Sequence, residues 1–169
     1  MPNSVAAASP EQPNSVGIVH LDHLPKVDRE LLLTARDMAR RAYAPYSGFG
    51  VGAAVRTISG TVYAGTNMEN ASYGLTLCAE TSALLQSVAA EDFRVETIAV
   101  VGGPLEKSQR DGDVVTPCGR CRQLILEAAH VSGRDVRVLS GNADISEILV
   151  LPISALLPHG FGPKNLRRE

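Results

Sequence analysis

The run VETIAVVGG at residues 95–103 gives the clearest indication of the fold in this chain. It is short, apolar and rich in β-branched residues, and it ends in two glycines, which is typical of a buried strand. Two more strands are predicted after it, DVRVL at 135–139 and EILVL at 147–151. Three apolar strands of this kind indicate a sheet at the centre of the molecule.

A hairpin is predicted upstream of this run, in FGVGAAVRTISGTVYAGTN at 49–67. Its two β-rich halves are joined around Ser59 and Gly60, which is a turn signal. Together with the three later strands, the hairpin predicts a sheet of about five strands.

Three helices are predicted before and between these strands. The first begins near Val27, where Asp28 is expected to cap it, and it ends before Pro45. The other two are AETSALLQSVAA at 79–90 and CGRCRQLILEAAHV at 118–131. This order of elements predicts an α/β fold, a three-layer α/β/α sandwich with helices on both faces of a central mixed sheet.

The length of 169 residues and the hydrophobic content of 44% fit one compact domain, expected at 26–165. Residues 1–25 are expected to form a disordered or loosely attached arm, because the opening segment MPNSVAAASPEQPNSVG is rich in Pro, Ser, Asn and Ala and has no apolar periodicity. The polar segment 104–116 is expected to be a surface loop.

The overall charge argues against nucleic acid as a partner. A formal net charge of −2 leaves no excess of cations to neutralise phosphates.

No apolar run approaches the roughly 20 residues needed to span a bilayer, and the opening residues lack the pattern of a secretory signal. The expected location is therefore cytoplasmic, with no membrane partner, and thiols there stay reduced and available to metals.

Three cysteines, Cys78, Cys118 and Cys121, indicate a metal site. An odd number leaves one thiol over after any internal disulfide, so a framework of bridges explains them poorly. Cys118 and Cys121 lie three positions apart at the start of one predicted helix, and Cys78 begins another. Two such helix starts could hold three thiolates at three corners of a tetrahedron, which is zinc geometry.

The fourth corner has two interpretations. His130 or His159 would close it in a structural zinc site, although neither belongs to a paired ligand motif. An open corner would hold water, whose pKa zinc lowers toward about 7. Glu80, two positions after Cys78, could then move protons between that water and a substrate. A glutamate in a first helical turn could also serve only the helix dipole.

Five motifs follow one another along 44–163: PYSGFGVGAAV, NMENASY, CAE, PCGRCRQ and LLPHGFGP. In this order they resemble the cytidine deaminases of the short, three-cysteine type. The resemblance implies zinc-dependent hydrolysis of cytidine and deoxycytidine to uridine or deoxyuridine and ammonia, as in pyrimidine salvage. It also implies one zinc per chain and a homotetramer whose sites are shared between subunits.

The same resemblance implies roles for individual residues. Cys78, Cys118 and Cys121 would hold the zinc, and Glu80 would shuttle protons to N3 of cytosine and to the departing amino group. Asn67 and Glu69 would contact the ribose hydroxyls. Substrate contacts in the same pocket, some of them to the site of an adjacent subunit, are further implied for Tyr46, Phe49, Ala71, Tyr73, Ala79 and Phe161.

Thr81 departs from the family, whose members mostly place an arginine directly after the glutamate. Three thiolates on Zn²⁺ leave a net negative charge, so other donors are expected to compensate. These are the N–H groups of the two helix starts, assisted by Arg120 or Arg122.

Three other functions remain open at this point. One is a related deaminase that acts on another aminopyrimidine or aminopurine nucleoside, such as blasticidin S. A nucleic-acid editing deaminase would need a basic channel, which the charge balance does not supply. The third is a zinc-binding module without enzymatic activity.

Overall fold

The computed structural model describes residues 17–106 and 112–166. Its centre is a mixed sheet of six strands. They are β1 (Gly17–Val19), β2 (Phe49–Thr57), β3 (Val62–Thr66), β4 (Val95–Pro104), β5 (Arg137–Gly141) and β6 (Ile148–Pro152). In space they follow the order β1-β6-β5-β4-β2-β3. Only β4 and β5 run parallel, so the predicted mixed sheet is confirmed with six strands rather than about five.

The additional strand, β1, lies inside the segment 1–25, where the sequence predicts only an arm. Gly17 pairs with Val150 and Val19 with Ile148 in antiparallel register. A strand of three residues is too short to show the alternation of apolar and polar residues that predicts a strand. Its pairing also depends on β6, which is distant in sequence. The structure thus corrects the expected arm for residues 17–19, while 1–16 lie outside the described residues.

Helices cover both faces of the sheet, as predicted. They are α1 (Lys26–Ala39), α2 (Ala79–Ala89), α3 (Gly119–Ser132) and α4 (Ile153–Leu156). Consecutive β2 residues alternate between two cores: Ala53 and Val55 pack with α2 and α3, whereas Ala54 packs with α1. None of the helices in 17–106 and 112–166 has the length and apolarity needed to cross a bilayer.

Asp28 does not cap α1, contrary to expectation. The helix starts two residues earlier, after Pro25, and Asp28 is buried in its first turn. Its carboxylate accepts hydrogen bonds from Arg56 on β2 (3.0 Å) and Arg137 on β5 (2.9 Å). These charge-assisted bonds tie α1 to two strands, because a buried carboxylate needs cationic partners.

The close approach of α2 to β3 depends on Gly65. A Cβ atom at this position would lie 2.5 Å from the backbone nitrogen of Ala83 and 2.7 Å from the carbonyl oxygen of Ala79. Any larger residue would push the helix away from the strand. Gly65 therefore sets the position of the first turn of α2, next to Cys78.

Candidate metal centre and substrate cleft

The three thiols meet where two helices begin. Cys78 directly precedes α2, Cys118 directly precedes α3, and Cys121 lies in the first turn of α3. Their sulfur atoms all lie within 4.8 Å of one another, and the Sγ atoms of Cys78 and Cys118 are 3.8 Å apart. Tetrahedral zinc with Zn–S bonds of about 2.3 Å requires sulfurs about 3.8 Å apart, so this donor set fits zinc.

No histidine joins this cluster within the described ranges. The ring of His130 packs against Gly162 instead. The structure therefore brings together three protein ligands, and the alternative of a structural site closed by His130 or His159 is not formed. Three ligands with an open position are the arrangement of a catalytic zinc site.

Proximity of the thiols perturbs their protonation. The hydrogen bond between Cys121 and Cys78 lowers the pKa of Cys78 to about 6. The same contact, followed by burial, raises the pKa of Cys121. The thiolate form of Cys78 is thus stabilised by protons on the neighbouring thiols. A metal cation could take the place of those protons and stabilise the thiolates in the same way.

Glu80 is the acidic side chain closest in sequence to the thiols. It lies in the first turn of α2 and is only 4% exposed. Burial is the main cause that raises the pKa of its carboxyl group. A carboxyl group whose ionised form is disfavoured by burial accepts a proton more readily than an exposed one does, which suits proton transfer.

A short bridge joins the cysteine site to the segment that carries Glu69. Met68 and Leu77 exchange two backbone hydrogen bonds of 3.0 Å each. Leu77 precedes Cys78, and Met68 precedes Glu69. The polar loop NMENASY is therefore held beside the start of α2, which sequence spacing alone does not reveal.

An open cleft of about 330 Å³ lies at this loop, lined by Tyr46, Ser47, Glu69, Tyr73 and Thr76. The rings of Tyr46 and Tyr73 are 5.8 Å apart between centroids and are tilted by 59°. The carboxylate of Glu69 accepts hydrogen bonds from the backbone N–H groups of Tyr46 (2.8 Å) and Ser47 (3.3 Å). Hydrogen bonds from Ser47 and from the Tyr46 backbone lower the pKa of Glu69, so it is ionised at neutral pH.

Asn67 is buried and already engaged with β2. Its Oδ1 atom accepts a hydrogen bond from the N–H of Val51 (2.8 Å), and its Nδ2 atom donates one to the carbonyl of Phe49 (3.1 Å). The amide thereby fixes the backbone of Phe49, whose own side chain is partly exposed. Contact of Asn67 with a ribose stays a prediction.

The remaining substrate residues predicted from sequence have different environments. Ala79 is buried at the first position of α2, and Ala71 is exposed in the loop after Glu69. Phe161 is 57% exposed in the segment that follows α4. Of the eight predicted contacts, the cleft brings together Tyr46, Glu69 and Tyr73.

Two side chains around the thiols differ from expectation. Arg122 directs its guanidinium nitrogens to Pro117, Thr116 and Leu156 and not to the thiols. Of the two arginines, it is Arg120 whose charge, after the hydrogen bonds from Cys121 and Cys118, helps to lower the pKa of Cys78. The hydroxyl of Thr81 lies 4.0 Å from the sulfur of Cys121. The sequence signal for this contact is the place of Thr81 three positions after Cys78, which puts its hydroxyl in the first turn of α2.

Family models give one match to this chain. The cytidine and deoxycytidylate deaminase zinc-binding region matches residues 25–133. The chain belongs to this deaminase family. Because the family binds zinc and the three cysteines are placed to hold one metal ion, zinc is the cofactor, as predicted.

Proteins named cytidine deaminase are similar to this chain over most of its length. The chain is 41% identical over 143 residues to a cytidine deaminase of Halalkalibacterium halodurans, an alignment that covers 83% of this chain and 98% of the relative. It is 38% identical over 149 residues to the cytidine deaminase of Mycobacterium tuberculosis, covering 86% of this chain and 98% of that protein.

Solved structures of the deaminase family share the fold. The cytidine deaminase of Burkholderia pseudomallei superposes with a TM-score of 0.68 at 38% identity, covering 78% of this chain and 97% of that chain. The enzyme from Mycobacterium tuberculosis superposes with a TM-score of 0.62 at 35% identity, covering 79% and 95%. The predicted family and α/β sandwich are thereby confirmed.

Proposed function

We propose that this chain catalyses the hydrolytic deamination of cytidine and deoxycytidine, giving uridine or deoxyuridine and ammonia. The observation that carries the proposal is the cluster of three thiols within 4.8 Å of one another beside the buried carboxyl group of Glu80. The relatives named cytidine deaminase support cytidine as the substrate.

Cys78, Cys118 and Cys121 would hold the zinc. When bound, zinc supplies a Lewis acid that makes water a nucleophile at neutral pH. Glu80 would take a proton from the attacking water and deliver it to N3 of the pyrimidine. It would then carry the second proton to the amino nitrogen at C4, so that ammonia leaves and the oxygen of water remains on C4.

Glu69 would bind the ribose at the mouth of the site. Its carboxylate is ionised and has accepting capacity beyond the N–H groups of Tyr46 and Ser47, so it can accept from a sugar hydroxyl. Tyr46 and Tyr73 would contact the nucleoside from the same cleft. Asn67 would orient Phe49 toward the pyrimidine through the backbone of β2 and could offer its remaining N–H to the ribose.

We further propose a homotetramer with sites shared between subunits, acting in pyrimidine salvage in the cytoplasm. Tyr73 is 75% exposed and Phe161 57% exposed, which supports contacts of these rings with a neighbouring copy. Ala71 lies in the same exposed loop as Tyr73, and Ala79 and Cys118 at the helix starts would offer backbone groups to the base edge.

Ultraviolet absorbance tests the function directly. Zinc-loaded protein should remove the cytidine signal, and Glu80→Gln protein with the same zinc content should not. A panel of cytidine, deoxycytidine, cytosine, CMP, adenosine and blasticidin S separates the proposal from related deaminases. Turnover of blasticidin S or adenosine without turnover of cytidine would refute it, as would bound zinc with no deamination.

A further inference from the structure

The three cysteines are held in place by different contacts. Cys78 follows Leu77, whose two backbone hydrogen bonds to Met68 fix it. Cys121 is fully buried inside α3. Cys118 differs from both, because its side chain is exposed and the segment 112–118 before it has no regular secondary structure. The carbonyl of Cys118 accepts a hydrogen bond from the backbone N–H of Arg122 (2.9 Å), but no strand or helix holds the residues directly before it, and side-chain contacts fix those.

Arg122 supplies these contacts. Its Nε atom donates a hydrogen bond to the carbonyl of Pro117 (2.7 Å), and its Nη2 atom donates one to Oγ1 of Thr116 (3.2 Å). The third nitrogen, Nη1, donates to the carbonyl of Leu156 at the end of α4 (3.0 Å). The two residues directly before Cys118 are thus tied to α3 and to α4 through one guanidinium group.

The chemistry of this contact is specific to arginine. Pro117 is buried, so its carbonyl needs a donor, and a buried acceptor without a partner is costly. The planar guanidinium reaches three oxygens in fixed directions at once, whereas a lysine ammonium is a flexible point charge. Arg120, two positions earlier, is exposed and makes no such hydrogen bond within the described residues.

We propose that Arg122 is a positioning residue for zinc: it fixes the segment from Thr116 to Cys118, so that the Cys118 sulfur stays in place to complete the metal site. The effect comes from the directed hydrogen bonds, not from the positive charge. The proposal rests on the zinc site of the proposed function but not on the substrate.

The test measures release of zinc from the full-length, zinc-loaded protein into an excess of a coloured chelator. Arg122→Lys keeps the charge and loses the planar set of donors, and zinc release should become about 10- to 100-fold faster, as for other residues that orient metal ligands. Arg94→Lys makes the same substitution at an exposed arginine between α2 and β4 and should release zinc at the wild-type rate. Circular dichroism and thermal melting show whether each variant is folded.

A smaller change guards against a folding defect in Arg122→Lys, because that variant also loosens α4. Thr116→Val removes only the Nη2 contact and should accelerate release to a smaller extent, while Thr116→Ser, which keeps the hydroxyl, should not. The proposal is overturned if folded Arg122→Lys and Thr116→Val both release zinc at the wild-type rate. If Arg122→Lys does not fold, a wild-type rate of zinc release from Thr116→Val is enough to overturn it. Equal acceleration by Arg94→Lys and Arg122→Lys also overturns it, because the effect would then not depend on the contacts of Arg122. A wild-type protein that holds zinc but does not deaminate cytidine refutes the proposed function and leaves this test intact.

Discussion

The carboxylate of Glu69 accepts a hydrogen bond of 2.8 Å from the backbone N–H of Tyr46, across the cleft mouth that Tyr73 also lines. One charged group thus orders the loop around Tyr46 and faces the proposed ribose position. Glu69→Gln keeps an acceptor for the loop and loses the charge, so it separates these two roles better than alanine does.

Glu69→Gln should raise KM for cytidine and lower kcat less, because contacts to the remote sugar help to orient the base. Loss of a hydrogen bond to a charged group, about 1.5–3 kcal/mol, corresponds to roughly a 10- to 100-fold loss in kcat/KM. Steady-state kinetics on cytidine and on free cytosine check this, since cytosine lacks the sugar. Equal losses on both compounds would point to a disordered loop rather than a lost ribose contact.

Glu80→Gln should keep the fold and the zinc and lose nearly all turnover. The amide has almost the same shape as the carboxyl group but cannot accept the proton from water. Positioned acid and base groups contribute about 10²- to 10⁴-fold, and Glu80 would serve more than one transfer. The measurements are kcat by absorbance, zinc by metal analysis and the melting temperature. A variant with wild-type kcat would remove Glu80 from the mechanism.

The sequence predicts the centre of this molecule better than its edges. The strand at 95–103 and the helix starts at Cys78 and Cys118 follow from local patterns, and the observed elements agree with them. The pairing of β1 with β6 and the reach of Arg122 to Leu156 join segments that are distant along the chain. No local periodicity encodes such contacts, because the packing of the whole domain decides them.

Cys118→Ala and Cys121→Ala should each release zinc and lower the thermal stability of the zinc-loaded protein. The metal ties the starts of α2 and α3 together, so its binding free energy is shared with folding. Cys121 is buried, so its replacement also leaves a small cavity and should lower the melting temperature of the metal-free protein more than Cys118→Ala does. One zinc per chain in either variant would show that the ligand set is wrong.

Thr81→Val should weaken zinc binding slightly. Its hydroxyl lies 4.0 Å from the sulfur of Cys121, which is a long and therefore weak hydrogen bond. Its loss should cost about 0.5 kcal/mol, a change of about twofold in the zinc dissociation constant measured by chelator competition. Thr81→Ser keeps the hydroxyl and serves as the control. Tighter binding in Thr81→Val would mean that the hydroxyl does not favour the thiolate.

Asp92 gives a prediction for the pH dependence of stability. It follows α2, and its Oδ2 atom accepts hydrogen bonds from the hydroxyls of Thr57 (2.7 Å) and Ser59 (2.8 Å) in the β2–β3 hairpin. The hydrogen bond from Thr57, followed by that from Ser59, lowers the pKa of Asp92 from its ordinary value of 3.8. The folded state therefore holds the ionised form more strongly than the unfolded state does.

The sign follows from linkage. A lowered pKa in the folded state contributes stability that is fully present above 3.8 and is lost as the pH falls through the lower folded value. Asp92→Asn should therefore lower the urea midpoint of unfolding at neutral pH. The difference in midpoint between this variant and wild type should shrink in acid below 3.8. Comparing the two proteins at each pH cancels the effect of zinc loss, which both share. Asp22→Asn, an exposed carboxylate with no hydrogen-bond partner among residues 17–106 and 112–166, should change the midpoint little at any pH. A deficit of Asp92→Asn that stays constant into strong acid would show that the carboxylate charge does not stabilise the hairpin contact.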